Sequence, residues 1–305
     1  MSRPHTDTDR LVGLLSHVLD EVDDETYLYY LDVQKVFYYL QKRLDGDNAI
    51  SQQLAYYWYL DGPVSDVVQE TADRARELEA VETESTKEGL RFKRPESGPE
   101  LEFTDEDYIA AEAALDRVLE EDYQIYSSLG DKLDNVYQDA PYDFQPFYKF
   151  EVLEAIDEYD QGLPWAYSPE EILNLIATAE AYLPINDSFE EVNKMFSRFV
   201  TTAEKYLSNV GEDRTGSGSF DDLAYSYWKL FCYRLRMVEH DPEYDSKIDQ
   251  WERDYQMKLS SFEDEITQFR EFVNEEFSGT SNEEHYRSDA DSEWASVVTA
   301  LQEDD

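Results

Sequence analysis

The chain is poor in the residues that form disulfides and metal clusters. It contains one cysteine and four histidines among 305 residues. A single cysteine excludes an internal disulfide and a cysteine-based metal cluster. Because Cys232 lies between Phe231 and Tyr233, we expect a small buried side chain and not a reactive thiol.

Long apolar runs are also lacking. No stretch approaches the roughly 18 consecutive apolar residues that a membrane-spanning helix needs. The first ten residues, MSRPHTDTDR, do not contain the apolar centre of a signal peptide. The sequence therefore predicts a soluble, cytoplasmic protein that does not bind membranes.

Positive charge is scarce. Lys and Arg number 26 against 71 Asp and Glu, which leaves a formal net charge of −45. Such self-repulsion opposes a compact state in dilute buffer, whereas at molar salt the Debye length falls to about 3 Å. We interpret the excess as an adaptation to the cytoplasm of a halophile. A hydrophobic content of 41%, with 24 Tyr, 15 Phe and 5 Trp, argues against disorder.

Motifs that carry catalysis are missing as well. None of the histidines has the spacing of a zinc-binding helix motif; they are His5, His17, His240 and His285. The Gly216–Ser219 run lacks the lysine of a nucleotide-binding loop. Acidic pairs are common by composition alone and carry no information. We therefore predict no enzyme, no cofactor and no metal.

Helical periodicity dominates the first part of the chain. Apolar residues recur at helical spacing over about 9–22, 26–44 and 64–78. Between the second and third helices, residues 54–60 form an aromatic run that fits either a strand or a buried helical turn. The periodicity across residues 105–138 does not decide between one helix and two.

Two short segments alternate apolar with charged residues, as strands do. They are Gly89–Arg94 and Glu100–Thr104, and the turn-forming sequence PESGP joins them. This pattern predicts a β-hairpin. Thr104 and Asp107 then resemble a capping box that opens a further helix. Helices followed by a hairpin and another helix indicate a winged-helix-like domain over residues 1–125, with the hairpin as its wing.

The rest of the chain predicts a multi-helix bundle over residues 126–277. Two capping boxes mark helix starts, at Ser168–Glu171 and Ser188–Glu191. A helix over 220–239 is apolar on nearly every side and is expected at the centre of the bundle. The longest helix is expected to begin at Asp241 and Pro242. Residues 278–305 are predicted to form a flexible linker and a short amphipathic helix that docks on a partner or folds back; its apolar residues are Trp294, Val297, Val298 and Leu301.

The N-terminal part resembles a known family. Residues 33–41 read VQKVFYYLQ and residues 59–65 read YLDGPVS. These segments are similar to the "LQKLLYL"-type helix and "YGPVS"-type turn of the Panacea family of antitoxin-associated domains. Here Asp61 stands before Gly62, where the family usually has an aromatic residue. The resemblance covers roughly residues 25–125. It implies a winged-helix-like fold, a toxin-neutralising binding role, and structural roles for the motif residues Gln34, Lys35, Gly62, Pro63 and Ser65.

The predicted wing is a basic segment within an acidic chain; its bases are Lys87, Arg91, Lys93 and Arg94. They could contact DNA or an acidic protein surface. They could also pair with Glu100, Glu102 and neighbouring acids across the hairpin. Molar salt weakens phosphate contacts steeply, so a protein partner is favoured. The leading hypothesis is a non-enzymatic, antitoxin-like or stress and defence regulator that binds a protein. The alternatives are a DNA-binding transcription regulator and a purely structural helical scaffold.

Overall fold

The computed structural model describes residues 7–22, 27–87, 89–99, 101–123, 129–163, 165–210 and 219–277. The protein is mainly helical and also contains small antiparallel sheets. None of its described helices combines the length and the apolar character that a bilayer-spanning segment requires.

The described residues of the N-terminal part contain five α-helices. They are α1 (Asp7–Asp20), α2 (Tyr30–Arg43), α3 (Ala49–Gln53), α4 (Asp66–Glu77) and α5 (Glu106–Arg117). A π-helical turn, Val118–Asp122, continues α5 and ends at Tyr123, whose backbone is extended. The predicted 105–138 segment is therefore two helices. The apolar faces of α1, α2, α4 and α5 enclose one cluster of buried side chains, which includes Leu15, Phe37 and Leu115.

Three strands form a sheet beside these helices: β1 (Leu28–Tyr29), β4 (Glu82–Thr86) and β5 (Gly89–Lys93). All pairings are antiparallel, and the order is β1-β5-β4. In this register Phe92 lies opposite Leu28 and Thr83. Strands β2 (Tyr57–Tyr59) and β3 (Gly62–Val64) form a separate hairpin. The aromatic run therefore contains a strand and not a buried helical turn.

The predicted partner of β5 was wrong. β5 pairs with the preceding strand β4, and Leu101–Thr104 forms no strand. Leu101 and Phe103 pack on the N-terminal core instead, with the Phe103 ring 4.8 Å from that of Tyr108. Strand β4 reads ETEST and is largely exposed, so it has no apolar alternation to predict it. The helix cap also lies one residue later than expected, since Asp105 accepts the Tyr108 amide at 3.1 Å.

The described residues from 129 onward are mainly helical. They are α6 (Leu129–Tyr137), α7 (Phe144–Phe147), α8 (Leu153–Asp160), α9 (Pro169–Ala181), α10 (Glu190–Asn209), α11 (Ser219–Val238) and α12 (Ile248–Phe277). A π-helical turn, Tyr148–Val152, joins α7 to α8. Short 3₁₀ turns, Asp187–Phe189 and Pro242–Lys247, precede α10 and α12.

The two predicted capping boxes had different outcomes. Ser168 and Glu171 cap α9 reciprocally, with Pro169 in its first turn, as predicted. The second prediction was wrong, because the Asn186 side chain caps a 3₁₀ turn by accepting the Ser188 amide at 3.0 Å. α10 starts after that turn, without a side-chain cap.

The C-terminal core is rich in aromatic rings and surrounds α11. Tyr227, Trp228, Phe231 and Cys232 of this helix are fully buried, and α11 packs against α8, α10 and α12. Cys232 is unpaired and inaccessible, as expected. The Tyr148 hydroxyl donates a hydrogen bond to the Ala224 carbonyl at 3.0 Å, which joins the π-helical turn to α11.

Candidate functional site

The two motif segments meet in space through Gln34 and Ser65. The Gln34 Nε2 donates to the Ser65 carbonyl at 3.0 Å, and the Ser65 amide donates to Gln34 Oε1 at 2.9 Å. Both residues are buried. The side-chain amide of Gln34, on α2, therefore forms hydrogen bonds with both backbone groups of Ser65, the residue that precedes α4.

Lys35, the next residue of α2, holds the same segment. Its ammonium group donates to the Pro63 carbonyl at 2.9 Å, and its side chain is completely buried. Burial lowers the pKa of Lys35 to about 7, while Asp61 raises it and Lys149 lowers it further. A lysine in this setting changes charge near neutral pH.

The turn between β2 and β3 requires a glycine at position 62. Its φ is +94°, a conformation that side chains disfavour. A Cβ atom here would lie 3.0 Å from Val136 Cγ1 and 3.3 Å from Lys35 Nζ. We name the contact region of Gln34, Lys35, Gly62, Pro63 and Ser65 the motif junction. The structure brings together all five predicted motif residues.

Lys149, from the C-terminal part of the chain, also contacts this turn. Its Nζ lies 2.9 Å from the Leu60 carbonyl and 2.6 Å from Asp61 Oδ1. The Tyr137 hydroxyl also donates to the Leu60 carbonyl at 2.9 Å. Sequence reasoning missed Lys149, because nothing in its local sequence YKFEV points to an acid 88 residues away.

The basic residues of the predicted wing are partly neutralised. Arg91 lies 2.6 Å from Glu84 on the neighbouring strand, and its guanidinium stacks 3.9 Å from the centre of the Tyr27 ring. Arg94 pairs with Asp20 at 2.7 Å. The pairing that the sequence offered as an alternative therefore occurs, but with these acids.

The two lysines of the predicted wing have different surroundings. Lys93 lies 5.9 Å from the centre of the Tyr27 ring, and Lys87 is exposed in the hairpin turn. The candidate C-terminal binding residues Trp294, Val297, Val298 and Leu301 lie outside the described residues.

The histidines that are described make polar contacts with acids. His17 Nε2 lies 2.6 Å from Asp116 Oδ1, and His240 Nε2 lies 3.3 Å from Asp245 Oδ1. Within the described ranges, no three His, Cys, Asp or Glu side chains are grouped so that they could hold a metal ion. His5 and His285 fall outside those ranges.

Comparison of this chain with models of protein families, with curated proteins and with solved structures found no match.

Proposed function

We propose that this chain is a non-enzymatic regulatory protein that acts by binding another protein, with a Panacea-like, winged-helix-like domain in its N-terminal part. The motif junction carries this proposal. Its two segments are about 20 residues apart in the sequence. The side chains of Gln34 and Lys35, in the first segment, hydrogen-bond to the backbone of Ser65 and Pro63, in the second. Motifs that form one structural unit support a shared fold better than two unrelated short matches do.

The order of elements supports the winged-helix part of the proposal. Helices α1, α2 and α4 precede the β4–β5 hairpin, and β5 also pairs with β1, the strand that leads into α2. A short strand that closes a hairpin against a three-helix core is the arrangement in which a wing is held. The charge of −45 suits a protein that works in concentrated salt.

A DNA-binding regulator is the less favoured candidate. Arg91 and Arg94 are already paired with Glu84 and Asp20, so a phosphate would have to displace a carboxylate. Molar salt weakens such contacts further. Binding of DNA by the wing would therefore need sequence-specific base contacts from other residues.

The deciding experiment is co-expression with the products of the adjacent open reading frames, since antitoxins of this kind are encoded beside their toxins. We expect one neighbour to arrest growth alone and to be neutralised by this chain, and the two to co-purify in concentrated KCl. If no neighbour is toxic or co-purifies, and the chain instead retards a specific DNA fragment, the protein-binding proposal is wrong. Loss of that retardation in an Arg91→Glu, Arg94→Glu variant would establish the DNA alternative.

A further inference from the structure

An aromatic cleft lies on the outer side of the π-helical turn Tyr148–Val152. We use that name for a cleft of about 420 Å³ lined by Asp134, Asp143, Pro146, Phe147, Phe150, Glu151 and Tyr182. Tyr182 keeps 42% of its surface exposed. Three residues further along the chain, Ile185 is 98% exposed. Phe147 and Phe150 are partly exposed beside Tyr182, and adjoining apolar side chains that remain open to solvent are a feature of protein-binding surfaces.

The rings that line the cleft are held by aromatic contacts with each other and with the core. The Phe147 ring packs edge-on against Tyr182, with centroids 5.2 Å apart. The Phe150 ring packs in the same manner against Tyr137 at 5.1 Å, and Tyr137 is buried. Such edge-to-face contacts fix the rings, so the cleft exists before anything binds.

The π-helical turn gives this surface a second connection. Lys149 of the turn contacts Leu60 and Asp61, the two residues that precede the motif junction at Gly62, while Phe150 and Glu151 of the same turn line the cleft. π-helical turns inside helices occur frequently at functional sites. The turn therefore joins the candidate binding surface directly to the N-terminal domain.

The charged residues that line the cleft are all acidic. Asp134, Asp143 and Glu151 are all exposed, and the lining contains no Lys, Arg or His. The groove between α11 and α12 is different, because Lys229 lines it together with Glu265 and lies 4.3 Å from the centre of the Tyr225 ring. The aromatic cleft is thus complementary to an apolar group flanked by positive charge.

We propose that the aromatic cleft is the docking site for a cationic segment of a partner protein. The segment packs an apolar side chain against Phe147, Phe150 and Tyr182 and places Lys or Arg against the three carboxylates. The volume lies at the small end of the roughly 300–1,000 Å³ of ligand pockets, which fits an anchor side chain better than a whole cofactor. In concentrated salt the apolar anchor supplies most of the affinity, and the charges set the orientation. This inference rests on the proposed protein-binding function.

The test uses a phage-displayed random peptide library selected against the full chain in about 1 M KCl, where charge alone cannot hold a peptide. We expect enriched peptides with one large apolar residue flanked by Lys or Arg. Binding of synthetic copies is then measured by fluorescence anisotropy. Replacing the Lys and Arg of a copy by Gln should weaken binding, and more strongly as the KCl concentration is lowered. If no peptide is enriched, or if enriched peptides carry no positive charge, the inference is overturned.

Two substitutions in the cleft test whether the selected peptides bind there. Tyr182→Ala removes a half-exposed ring, and Glu151→Lys reverses an exposed charge, so neither disturbs the buried core. Each should weaken the selected peptides about tenfold, as loss of a central contact does. The matched controls are Met257→Ala, whose side chain is 65% exposed on α12, and Asp264→Lys on the exposed face of the same helix; both should bind unchanged. Equal binding by the cleft variants and the controls would place the peptides elsewhere and overturn the inference.

The outcomes separate this inference from the proposed function. If a neighbour-encoded partner co-purifies equally with the wild type and with a Tyr182→Ala, Glu151→Lys variant, the function stands and the cleft assignment fails. If peptides bind the cleft but no neighbour is neutralised or co-purifies, the cleft assignment stands and the antitoxin-like role fails. Self-association that the same two substitutions abolish would show that the occupant is a second copy of the chain, which contradicts the cationic segment proposed here.

Discussion

Gln34 shows how much a single residue contributes at the motif junction. Its amide donates to one backbone group of Ser65 and accepts from the other. Both groups are buried, so no water replaces the side chain when it is removed. Serine at position 65 is the residue before α4, and Gln34 therefore fixes where the chain enters that helix.

Replacement of Gln34 by leucine keeps the volume and removes both hydrogen bonds. We expect a loss of about 2 kcal/mol in the free energy of unfolding, because an unsatisfied buried backbone group costs roughly 1–3 kcal/mol. The group left unsatisfied is the Ser65 amide, since the Ser65 carbonyl still accepts the Gln69 amide. Urea unfolding in concentrated KCl measures the loss. Gln256→Leu on the exposed face of α12 is the control and should change stability by less than about 0.5 kcal/mol. Equal stabilities of the two variants would contradict the role given to Gln34.

Lys35 makes the same junction sensitive to pH. Its pKa falls from an ordinary value of 10.5 to about 7 because it is buried. The unfolded chain therefore holds more protons than the native protein between about pH 7 and 10.5. The destabilisation is complete below about pH 7 and fades as pH rises towards 10.5.

The Lys35→Met variant isolates this effect. The stability of the wild type relative to the variant should be flat below about pH 7 and then rise by up to about 1.4 kcal/mol per pH unit. Guanidinium unfolding of both proteins at each pH measures the difference, in which the titration of the tyrosines cancels. The control is Lys194→Met, which removes an exposed lysine paired with Glu190; because this variant keeps Lys35, its stability should still rise relative to Lys35→Met. A difference that stays constant from pH 6 to pH 10 would contradict a charge change at Lys35.

At the scale of elements, the predicted wing shows where the sequence was informative and where it was not. The alternation in Gly89–Lys93 predicted β5 correctly, because Phe92 faces the core and its neighbours do not. Its partner could not be predicted in the same way. β4 lies at the edge of the sheet and is exposed on both faces, so no burial pattern marks it. The similar alternation in residues 100–104 then suggested the wrong partner.

The cross-strand pair Glu84 and Arg91 allows a test at this scale. Reversing either charge places like charges opposite each other, and we expect a loss of about 0.5 kcal/mol for Glu84→Arg. Arg91→Glu should cost about 1 kcal/mol, since it also removes the contact with the Tyr27 ring. The double variant should recover the ion pair but not the ring contact. A double-mutant cycle by thermal unfolding measures the coupling, and strictly additive effects would show that the pair contributes nothing.

At the scale of the whole molecule, the N-terminal and C-terminal parts are joined by buried or half-buried polar contacts. Lys132 of α6 pairs with Asp32 of α2 at 2.8 Å, and both side chains are buried. The Tyr123 hydroxyl donates to the same carboxylate at 2.5 Å. Lys149 and Asp61 form the second joint. Strand β2 forms the third, because the Trp58 amide donates to the Glu239 carbonyl at 3.0 Å.

The overall charge predicts a strong dependence of stability on salt. The thermal midpoint should rise by roughly 10 °C or more between about 0.1 M and 2 M KCl, because screening removes the repulsion among unpaired carboxylates. Differential scanning calorimetry measures the midpoint. Sucrose at matched osmolality is the control and should raise the midpoint much less, since it adds no ions. An unchanged midpoint across this range would contradict our interpretation of the acidic composition.

The sequence by itself determined the helical class, most helix positions and the burial of Cys232, because these follow from local periodicity and composition. It also identified the residues of the motif junction, although as two separate segments. Only the tertiary structure showed that these segments hydrogen-bond to each other, that β4 is the partner of β5, and that Lys149 reaches Asp61. It alone revealed the aromatic cleft, whose lining comes from α6, α7, the π-helical turn and the end of α9. Pairings between residues far apart in the chain leave no local pattern, so their selection depends on how the whole chain packs.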